Sequence, residues 1–226
     1  MSLALAFDCT VTGMSIAVVG DGACLAGAVE TGRDQAARLL PVIAAVLREA
    51  GVERRDIALL AVTVGPGSFT GVRIGLAAAR GLSVALDVPL AGIRTTSALL
   101  AEVTETGGRL AVAAIDSRLG DWFCALRGGD PTPFLATTDG LADRLRGQRC
   151  VIVGAEADAL ALALGAHGID AAAHATLPNA ATIARLAVAD GVEVWRVRNR
   201  TEGLPRPLYL RGVNITLPDG VRRTVD

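Results

Sequence analysis

Short apolar runs separated by turns open this chain. Residues 3–7 and 14–19 are apolar stretches of strand length, and a glycine-aspartate-glycine turn at 20–22 leads into a third stretch at 24–30. Apolar runs bounded by glycine and aspartate are typical of β-strands joined by tight turns. The N-terminal pattern therefore predicts an antiparallel meander of three strands.

A helical pattern follows the meander. Asp34 belongs to the residue types that cap helices, apolar residues then recur to about residue 50, and Gly51 is a suitable stop. Pro41 lies inside this stretch. Because proline lacks a backbone N–H and crowds the preceding turn, we expect it to bend the helix or to move its start.

A strand and a helix come next, joined by a glycine-rich loop. The apolar run 57–64 predicts a strand, the loop covers 65–71, and a helical pattern extends over 72–86. A short strand near Leu90 and a helix at 96–102 complete this part of the chain. The predicted order is three strands, helix, strand, helix.

The pattern of the first strand returns near the middle of the chain. Residues 109–115 predict a strand, and the segment 113–118 repeats the form of 5–10, an apolar strand that ends in Asp-x-small. A glycine follows each copy, Gly13 in the first and Gly120 in the second. An aspartate at a strand end is common because it satisfies turn amides. Together with the strand order, however, the repeat predicts a duplication.

The predicted fold class is α/β, with two tandem lobes of the βββαβα type. This arrangement resembles the actin-like ATPase superfamily, which is built from two ribonuclease-H-like halves. We expect an N-terminal lobe at 1–105 and a C-terminal lobe with its tail at 106–226. The second lobe looks eroded, with strand and helix patterns at 150–154, 155–164 and 179–189 in alanine-rich sequence.

Composition excludes several classes of protein. Half of the residues are apolar (51%), the net charge is −1, and every basic residue is an arginine, dispersed along the chain. A dispersed and balanced charge does not indicate strong direct binding of nucleic acid. A P-loop nucleoside triphosphatase is excluded, because its loop needs a lysine to reach the terminal phosphates and this chain has none.

Cysteine spacing and the N-terminal residues indicate the cellular compartment of the protein. Cys9, Cys24, Cys124 and Cys150 lie far apart without a Cys-x-x-Cys pair, so we expect them to be buried and reduced. The apolar residues 1–7 are too few for a signal sequence or a membrane span. A cytoplasmic protein without a membrane segment is predicted.

The glycine-rich loop offers two interpretations. Free amides at the start of a helix attract anions, so the loop is a candidate phosphate site. A dinucleotide fingerprint is excluded, because Gly65 and Gly67 fit that motif but Gly71 comes one place too late. Alternatively, Gly71, Gly75 and Ala79, four residues apart, only allow a tight turn and close helix packing.

Several motifs together resemble the TsaB (YeaZ) family. The block 65–75 (Gly-Pro-Gly-Ser-Phe-Thr-Gly-Val-Arg-Ile-Gly) matches the signature of that family nearly letter for letter. The supporting segments are Asp8-Cys9-Thr10, residues 38–41, residues 114–120 and the C-terminal Pro207-Leu208-Tyr209-Leu210-Arg211. The resemblance covers residues 3–127 well and is thin from there to the tail.

The resemblance implies an accessory role in modifying transfer RNA. Members of this family adopt the actin-like fold without catalysing a reaction. They bind a catalytic paralogue, TsaD, which transfers a threonylcarbamoyl group to adenosine in transfer RNA, and an ATPase, TsaE, joins the pair. The resemblance also implies a homodimer when the chain is alone and contact with transfer RNA only through the complex. No cofactor is expected on the chain itself, with ATP or ADP an option at the interface of the complex.

The resemblance also assigns a partner interface to the first helix and to the helix after the glycine-rich loop. Apolar residues of the first helix cover more than one face in our interpretation, so its outer face is expected to meet another chain. The candidate interface residues are Arg33, Leu39, Leu40, Ile43, Val46, Leu47, Phe69, Arg73, Leu76 and Arg80. Residues 34–37 depart from the family, which often places a histidine and a hydroxyl residue there.

A second set of residues could hold a phosphate group. Asp8 and Asp116 occupy positions where actin-like ATPases keep carboxylates for a magnesium-bound nucleotide. The candidate nucleotide or phosphate residues are Asp8, Thr10, Gly65, Gly67, Ser68, Gly71 and Asp116. No metal site is expected, because His167 and His174 do not form the His-x-x-x-His pair of the catalytic paralogue.

Two other functions stay open at this point. An independent ATPase or a glycoprotease-like peptidase of the same fold would need an activated nucleophile, yet no histidine is close in sequence to Ser68 or Ser117. Partners of a catalytic triad are often distant in sequence, so this does not exclude a peptidase. A self-dimerising regulator with another partner is the third alternative.

Overall fold

Two five-stranded sheets organise the molecule. A computed structural model describes residues 3–32, 34–128, 132–211, 213–216 and 222–225. The strands of the first sheet are β1 (Leu3–Asp8), β2 (Met14–Gly20), β3 (Ala23–Glu30), β4 (Ile57–Thr63) and β5 (Leu90–Ile93). Their order is β3-β2-β1-β4-β5, in which β1, β2 and β3 are antiparallel and β4 and β5 run parallel to β1. The predicted meander is confirmed.

The second sheet repeats this order. Its strands are β6 (Leu110–Asp116), β7 (Trp122–Leu126), β8 (Phe134–Ala136), β9 (Arg149–Gly154) and β10 (Asp170–Ala175). The order β8-β7-β6-β9-β10 again has three antiparallel strands followed by two that run parallel to the central one. Two copies of one topology confirm the predicted duplication and the two-lobed α/β fold.

Helices cover the sheets. They are α1 (Gln35–Glu49), α2 (Phe69–Leu86), α3 (Thr95–Ala101), α4 (Thr138–Arg144), α5 (Ala157–Ala166), α6 (Ala180–Asp190) and α7 (Val192–Glu202). A short 3-10 turn, Arg54–Asp56, precedes β4, and a hairpin of β11 (Val213–Thr216) and β12 (Arg222–Val225) follows the helices. Helices α1 and α2 pack on one face of the first sheet and α6 packs on the other. Helices α4 and α5 cover one face of the second sheet.

The alternation of side chains along β1 explains this layering. Leu5 and Phe7 lie in the core beneath α1 and α2, whereas Ala4 and Ala6 face α6. Successive side chains of a strand point to opposite faces, so one strand serves both cores. Because Ala4 and Ala6 present only methyl groups to α6, this alanine-rich helix can approach the sheet closely.

The chain returns to the first sheet after completing the second. Helices α6 and α7 both contact the first sheet, and the side chain of Asn199 in α7 bonds to Leu90 of β5 in both directions. Its Oδ1 accepts from the Leu90 N–H (2.7 Å) and its Nδ2 donates to the Leu90 carbonyl (3.0 Å). The strands of the first sheet precede the predicted domain boundary at 105/106 and those of the second sheet follow it. The boundary stays a prediction, because α6 and α7 come after it in sequence but pack on the first sheet.

Some local expectations need correction. Helix α2 begins at Phe69 rather than at Val72, because the Ser68 hydroxyl accepts from the Gly71 N–H and caps the helix earlier. Asp34 occupies the N-cap position of α1, but its side chain makes no capping bond. Pro41 lies inside α1, which still begins at Gln35.

Candidate functional site

A cleft of about 300 Å³ lies between the two lobes. The ends of β1 and β6, the glycine-rich loop and the C-terminal residues 208–211 form its walls. Among the predicted phosphate residues, Thr10, Gly67, Ser68 and Asp116 line this cleft. Much of the remaining lining is apolar, and the charged groups come mainly from the second lobe and the C-terminal residues.

Asp8 lies beneath the cleft rather than in its lining. The carboxylate is buried, and its Oδ1 accepts hydrogen bonds from the Thr10 N–H (3.1 Å), the Thr10 hydroxyl (2.5 Å) and the Thr63 hydroxyl (2.5 Å). Burial raises the pKa of Asp8, an effect opposed by the hydrogen bonds from these threonines. In this position Asp8 accepts a hydrogen bond from Thr63 that connects β1 to β4, and we describe it as a structural hydrogen-bond acceptor.

The glycine-rich loop packs directly on the end of β1. A Cβ atom at Gly71 would lie 1.8 Å from the Cys9 carbonyl oxygen, and one at Gly67 would lie 2.3 Å from the Thr10 carbonyl oxygen. The Ser68 N–H donates to that same Thr10 oxygen at 2.6 Å. Contacts this short exclude any side chain. The packing interpretation therefore accounts for Gly67 and Gly71 without a ligand.

Asp116 repeats the Asp8 turn in a different environment. Its Oδ1 accepts from the Arg118 N–H at 2.7 Å, as Asp8 accepts from Thr10, but the side chain is only half-buried and faces the cleft. Arg118 has a positive φ of 63°. Its guanidinium lies 3.6 Å from both Asp116 and Glu156. The second lobe thus contributes a mixed group of charges to the cleft.

The C-terminal residues line the cleft and contact both lobes. The Leu208 N–H donates to the Val64 carbonyl at 2.7 Å, and a Cβ atom at Gly65 would lie 2.8 Å from the Leu208 carbonyl oxygen. Arg211 pairs with Asp121 of the second lobe. Gly65 is therefore needed for the passage of the C-terminal chain. Sequence reasoning noted 207–211 only as a family motif and missed this position.

These residues do not fit a magnesium-bound triphosphate. The Asp8 oxygen that accepts from the threonines is already engaged, and the loop amide of Ser68 bonds to Thr10. Asp116 and Glu156 are balanced in the cleft by Arg118 and Arg211, so the lining has no net positive charge that would attract a triphosphate. Among the described residues, no group of three or more metal-ligating side chains could hold a metal ion.

The predicted interface residues fall into two groups. Leu39, Ile43, Val46, Leu47 and Leu76 are buried in the core of the first lobe. The buried positions of α1 follow the spacing of a single helical face, whereas the apolar Leu40 is exposed outside it, so the apolar residues of α1 lie on more than one face. The buried side chains can position a helix but cannot contact a partner.

The other interface residues lie outside this core or are accessible. Leu40 and Phe69 are 53% and 40% exposed, and Arg73 is exposed beside Phe69. Arg80 is half-buried and donates to the Pro205 carbonyl. Arg33 lies outside the described residues. Whether any of them binds a partner stays a prediction.

Small apolar residues are frequent on the outer faces of α1 and α2, where they alternate with the exposed Arg38, Arg48, Glu49 and Arg73. By length and composition α2 could cross a membrane, but its inner face packs in the core of the first lobe. Val84 of α2 is 76% exposed. The other exposed apolar residues of the two outer faces are Ala36, Ala37, Leu40, Pro41, Ala44, Ala45, Ala77 and Ala85. We call this surface the α1/α2 face.

Nucleophiles and histidines do not come together in the described part of the chain. The Ser68 hydroxyl caps α2, and the Ser117 hydroxyl donates to Asp121. His167 lies 3.4 Å from Asp139, and His174 is exposed on β10. Neither histidine activates either serine as the peptidase alternative would require.

Three of the four cysteines are buried, as expected, and Cys24 is the exception on the exposed strand β3. Burial raises the pKa of Cys9 and of Cys124 to about 12. Burial also raises the pKa of Cys150. The thiolate is the reactive form, so these buried thiols are unreactive at neutral pH.

Comparison with known proteins identifies the family to which the chain belongs. The model of TsaD, tRNA N6-adenosine threonylcarbamoyltransferase, matches residues 29–144. The tRNA threonylcarbamoyladenosine biosynthesis protein TsaB of Escherichia coli K12 is 36% identical over 122 residues, which cover 54% of this chain and 53% of that protein. The chain thus spans about half the length of the curated relatives it matches.

Solved structures agree over more of the chain. A Pseudomonas aeruginosa protein with similarity to peptidase YeaZ is 27% identical, with a TM-score of 0.72 over 93% of this chain and 100% of the other. A ROK hexokinase of Thermus thermophilus, 16% identical with a TM-score of 0.50 over 83% of this chain and 100% of the other, shows the fold alone. The fold is the actin-like one, and the chain belongs to the TsaD-type family, as a member of its TsaB (YeaZ) group.

Proposed function

We propose that this chain is a non-catalytic scaffold subunit in the biosynthesis of threonylcarbamoyladenosine in transfer RNA. In this proposal it binds the TsaD-like catalytic paralogue in the cytoplasm, and the assembled pair recruits the TsaE-like ATPase. A second copy of the chain takes the place of the paralogue when that partner is absent. Transfer RNA contacts the chain only within the complex.

The α1/α2 face is the observation that carries the proposal. It combines the exposed Leu40 and Val84 with several exposed alanines, whose small side chains let a second helix approach closely. Exposed apolar surface rimmed by polar residues is typical of protein-protein interaction sites. The cleft, in contrast, lacks an activated nucleophile among its described residues and does not suit a triphosphate.

A scaffold can raise activity only by differential binding. The chain must bind the active conformation of the paralogue more tightly than the inactive one, because equal affinity for both shifts no equilibrium. No nucleotide is proposed on the chain itself. ATP or ADP would bind at the contact with the paralogue, where that partner supplies the catalytic groups.

Reconstitution tests the proposal. Threonylcarbamoyladenosine formation is measured with the paralogue and the ATPase of the same organism and the activated donor, with and without this chain. We expect product only when the chain is present. We also expect Leu40→Arg and Val84→Arg each to weaken the complex by at least about tenfold, because an arginine would be desolvated in an apolar contact.

A matched variant controls for added charge. Leu162 lies on α5 of the second lobe and is 81% exposed, so Leu162→Arg adds the same charge away from the α1/α2 face. It should leave activity unchanged. Equal product without the chain would refute the scaffold role, and steady ATP hydrolysis by the purified chain would favour the independent ATPase.

A further inference from the structure

The C-terminal residues 204–211 cross from one lobe to the other, and we call them the strap. The strap follows α7 and reaches the first lobe through Pro205, whose carbonyl accepts from Arg80 at 3.2 Å and 2.6 Å. A Cβ atom at Gly92 would lie 2.6 Å from the Pro205 ring. The beginning of the strap is therefore packed tightly against β5 and α2.

The middle of the strap is held at the start of α2. The Tyr209 hydroxyl accepts from Arg73 Nε at 3.0 Å, and the Tyr209 ring lies 5.3 Å from the ring of Phe69. The Arg73 guanidinium stacks on Phe69 at 3.8 Å. Phe69 and Tyr209 also line the cleft. This stack thus joins one end of the α1/α2 face to the cleft.

The end of the strap is held by one ion pair to the second lobe. Arg211 bonds to one oxygen of Asp121, and the other oxygen of Asp121 accepts from the Ser117 hydroxyl. The side chains of Arg211 and Asp121 are 32% and 13% exposed. A partly exposed ion pair is weak and is screened by salt. Among the attachments of the strap, which include the Leu208–Val64 backbone bond, this one should break first.

The lobes have a second connection that does not involve the strap. Arg127, at the end of β7, donates to the carbonyls of Leu100 and Val103 at the end of α3. Loss of the Arg211 pair would therefore widen the cleft without detaching the second lobe. The cleft would open at the strap while α3 stays bound to the second sheet.

We propose that the strap is an intramolecular clamp, in which the Arg211–Asp121 ion pair holds the two lobes together across the cleft and its release widens the cleft. While the pair is formed, residues 208–211 line the cleft and Arg211 is bound to the second lobe. The strap thus connects the two sides of the cleft. The proposal concerns the isolated chain and does not depend on the proposed function.

Hydrogen exchange of the isolated chain, followed by mass spectrometry, tests the clamp. In Arg211→Ala we expect amides of 65–69 and 117–121 to exchange about threefold to fivefold faster, as expected for loss of a weak ion pair. Arg206 is an exposed arginine of the same strap, so Arg206→Ala is the matched control and should exchange like the wild type. Unchanged exchange at 117–121 in Arg211→Ala would overturn the proposal.

Charge reversal and added salt distinguish an electrostatic role of Arg211 from a role in packing. Asp121→Arg alone should open the cleft, and the double variant Asp121→Arg with Arg211→Asp should restore slow exchange. Added salt should speed exchange at 117–121 in the wild type but not in Arg211→Ala. The wild-type half of the salt series needs no substitution, so it can overturn the proposal even if a variant fails to fold. Exchange that is independent of salt would overturn the proposal.

Tyr209 tests whether the strap moves as one unit. In Tyr209→Ala we expect faster exchange at 117–121 as well as at 69–73, because loss of the stack frees the strap on both sides. Tyr209→Phe keeps the ring contact with Phe69 and loses the bond to Arg73, so its effect should be smaller. If Tyr209→Ala changes only 69–73, the strap does not transmit opening to Asp121.

Discussion

The two lobes contain the same turn in two environments. Asp8 ends β1 and Asp116 ends β6, and each accepts a bond from the backbone N–H two residues later. Asp8 is buried among threonines, whereas Asp116 faces the cleft beside Arg118. A motif that would be assigned to nucleotide binding by its position has become a structural acceptor in one lobe. Burial, rather than residue type, decides what each carboxylate can do.

A glycine in each lobe also packs closely against the first strand of that lobe. Gly71 packs on the Cys9 carbonyl, and Gly154 packs on the Ala114 carbonyl, where a Cβ atom would lie 2.1 Å from the oxygen. Each lobe therefore requires a residue without a side chain against the backbone at the end of its first strand, Gly71 from α2 in the first lobe and Gly154 from the end of β9 in the second. The requirement is common to both lobes, as is the five-strand order of their sheets.

The largest expected loss of stability comes from adding a methyl group at these two glycines. Gly71→Ala should lower the free energy of unfolding by about 3 kcal/mol or more, because the added methyl meets backbone that cannot move aside. Gly154→Ala should destabilise the second lobe for the same reason. Denaturant unfolding measures both variants.

Gly81 provides the matched control for this prediction. It lies on the exposed side of α2, and an added Cβ atom would have no neighbour within 4 Å. Gly81→Ala should raise stability by up to about 1 kcal/mol through helix propensity. Similar losses in Gly71→Ala and Gly81→Ala would contradict the packing account.

The two aspartates should differ in their effect on stability. Asp8→Ala leaves the Thr10 and Thr63 hydroxyls without their acceptor and should cost about 2 kcal/mol. Asp116→Ala removes a bond at a half-exposed turn and should cost less than about 1 kcal/mol. Chemical denaturation at neutral pH compares them, and equal costs would refute the assignment of Asp8 as a buried structural acceptor.

The charge of Asp8 gives a prediction with a definite sign. Burial raises its pKa in the folded state, so the unfolded chain ionises first as pH rises. The stability that Asp8 contributes is present below its unfolded pKa, about 3.9, and is lost as pH rises through the folded pKa. Asp8→Asn should therefore be more stable than the wild type at pH 7, with the gain disappearing near pH 4. A gain that grows in acid would reverse this argument.

The smallest effect is expected at Asp170, at the edge of the second sheet. Hydrogen bonds from Arg109 and Arg149 lower its pKa. Its contribution is therefore present above the unfolded pKa and is lost as pH falls through the folded pKa. Asp170→Asn should lower the melting temperature slightly at pH 7 and have no effect in strong acid. An effect of equal size at both pH values would exclude the ion pairs as its cause.

Local sequence patterns predict much of this fold. The bounds of β1 and β2 were predicted to within one residue, and the second lobe was identified from the return of the Asp-x-small turn. The start of α2 was missed because a serine side chain, not the apolar period, determines it. The packing of α6 on the first sheet involves residues far apart in sequence, and periodicity carries no information about such contacts.

The candidate site was less predictable than the fold. Sequence placed the glycine-rich loop and Asp116 near one another, and the structure brings both to the cleft. It did not indicate that Asp8 lies below the cleft or that Arg211 pairs with Asp121. Helical spacing of Leu39, Ile43 and Val46 should have indicated burial, because residues three and four apart share one face.

The double hydrogen bond between Asn199 and Leu90 has a consequence for aggregation. The amide of Asn199 imitates one peptide group of an additional strand and occupies the outer edge of β5. Open strand edges are templates for the addition of other chains. A chain cut before α7 would retain all ten strands of the two sheets. It would nevertheless expose a parallel edge to its neighbours, so α7 protects the protein from uncontrolled association as well as completing its fold.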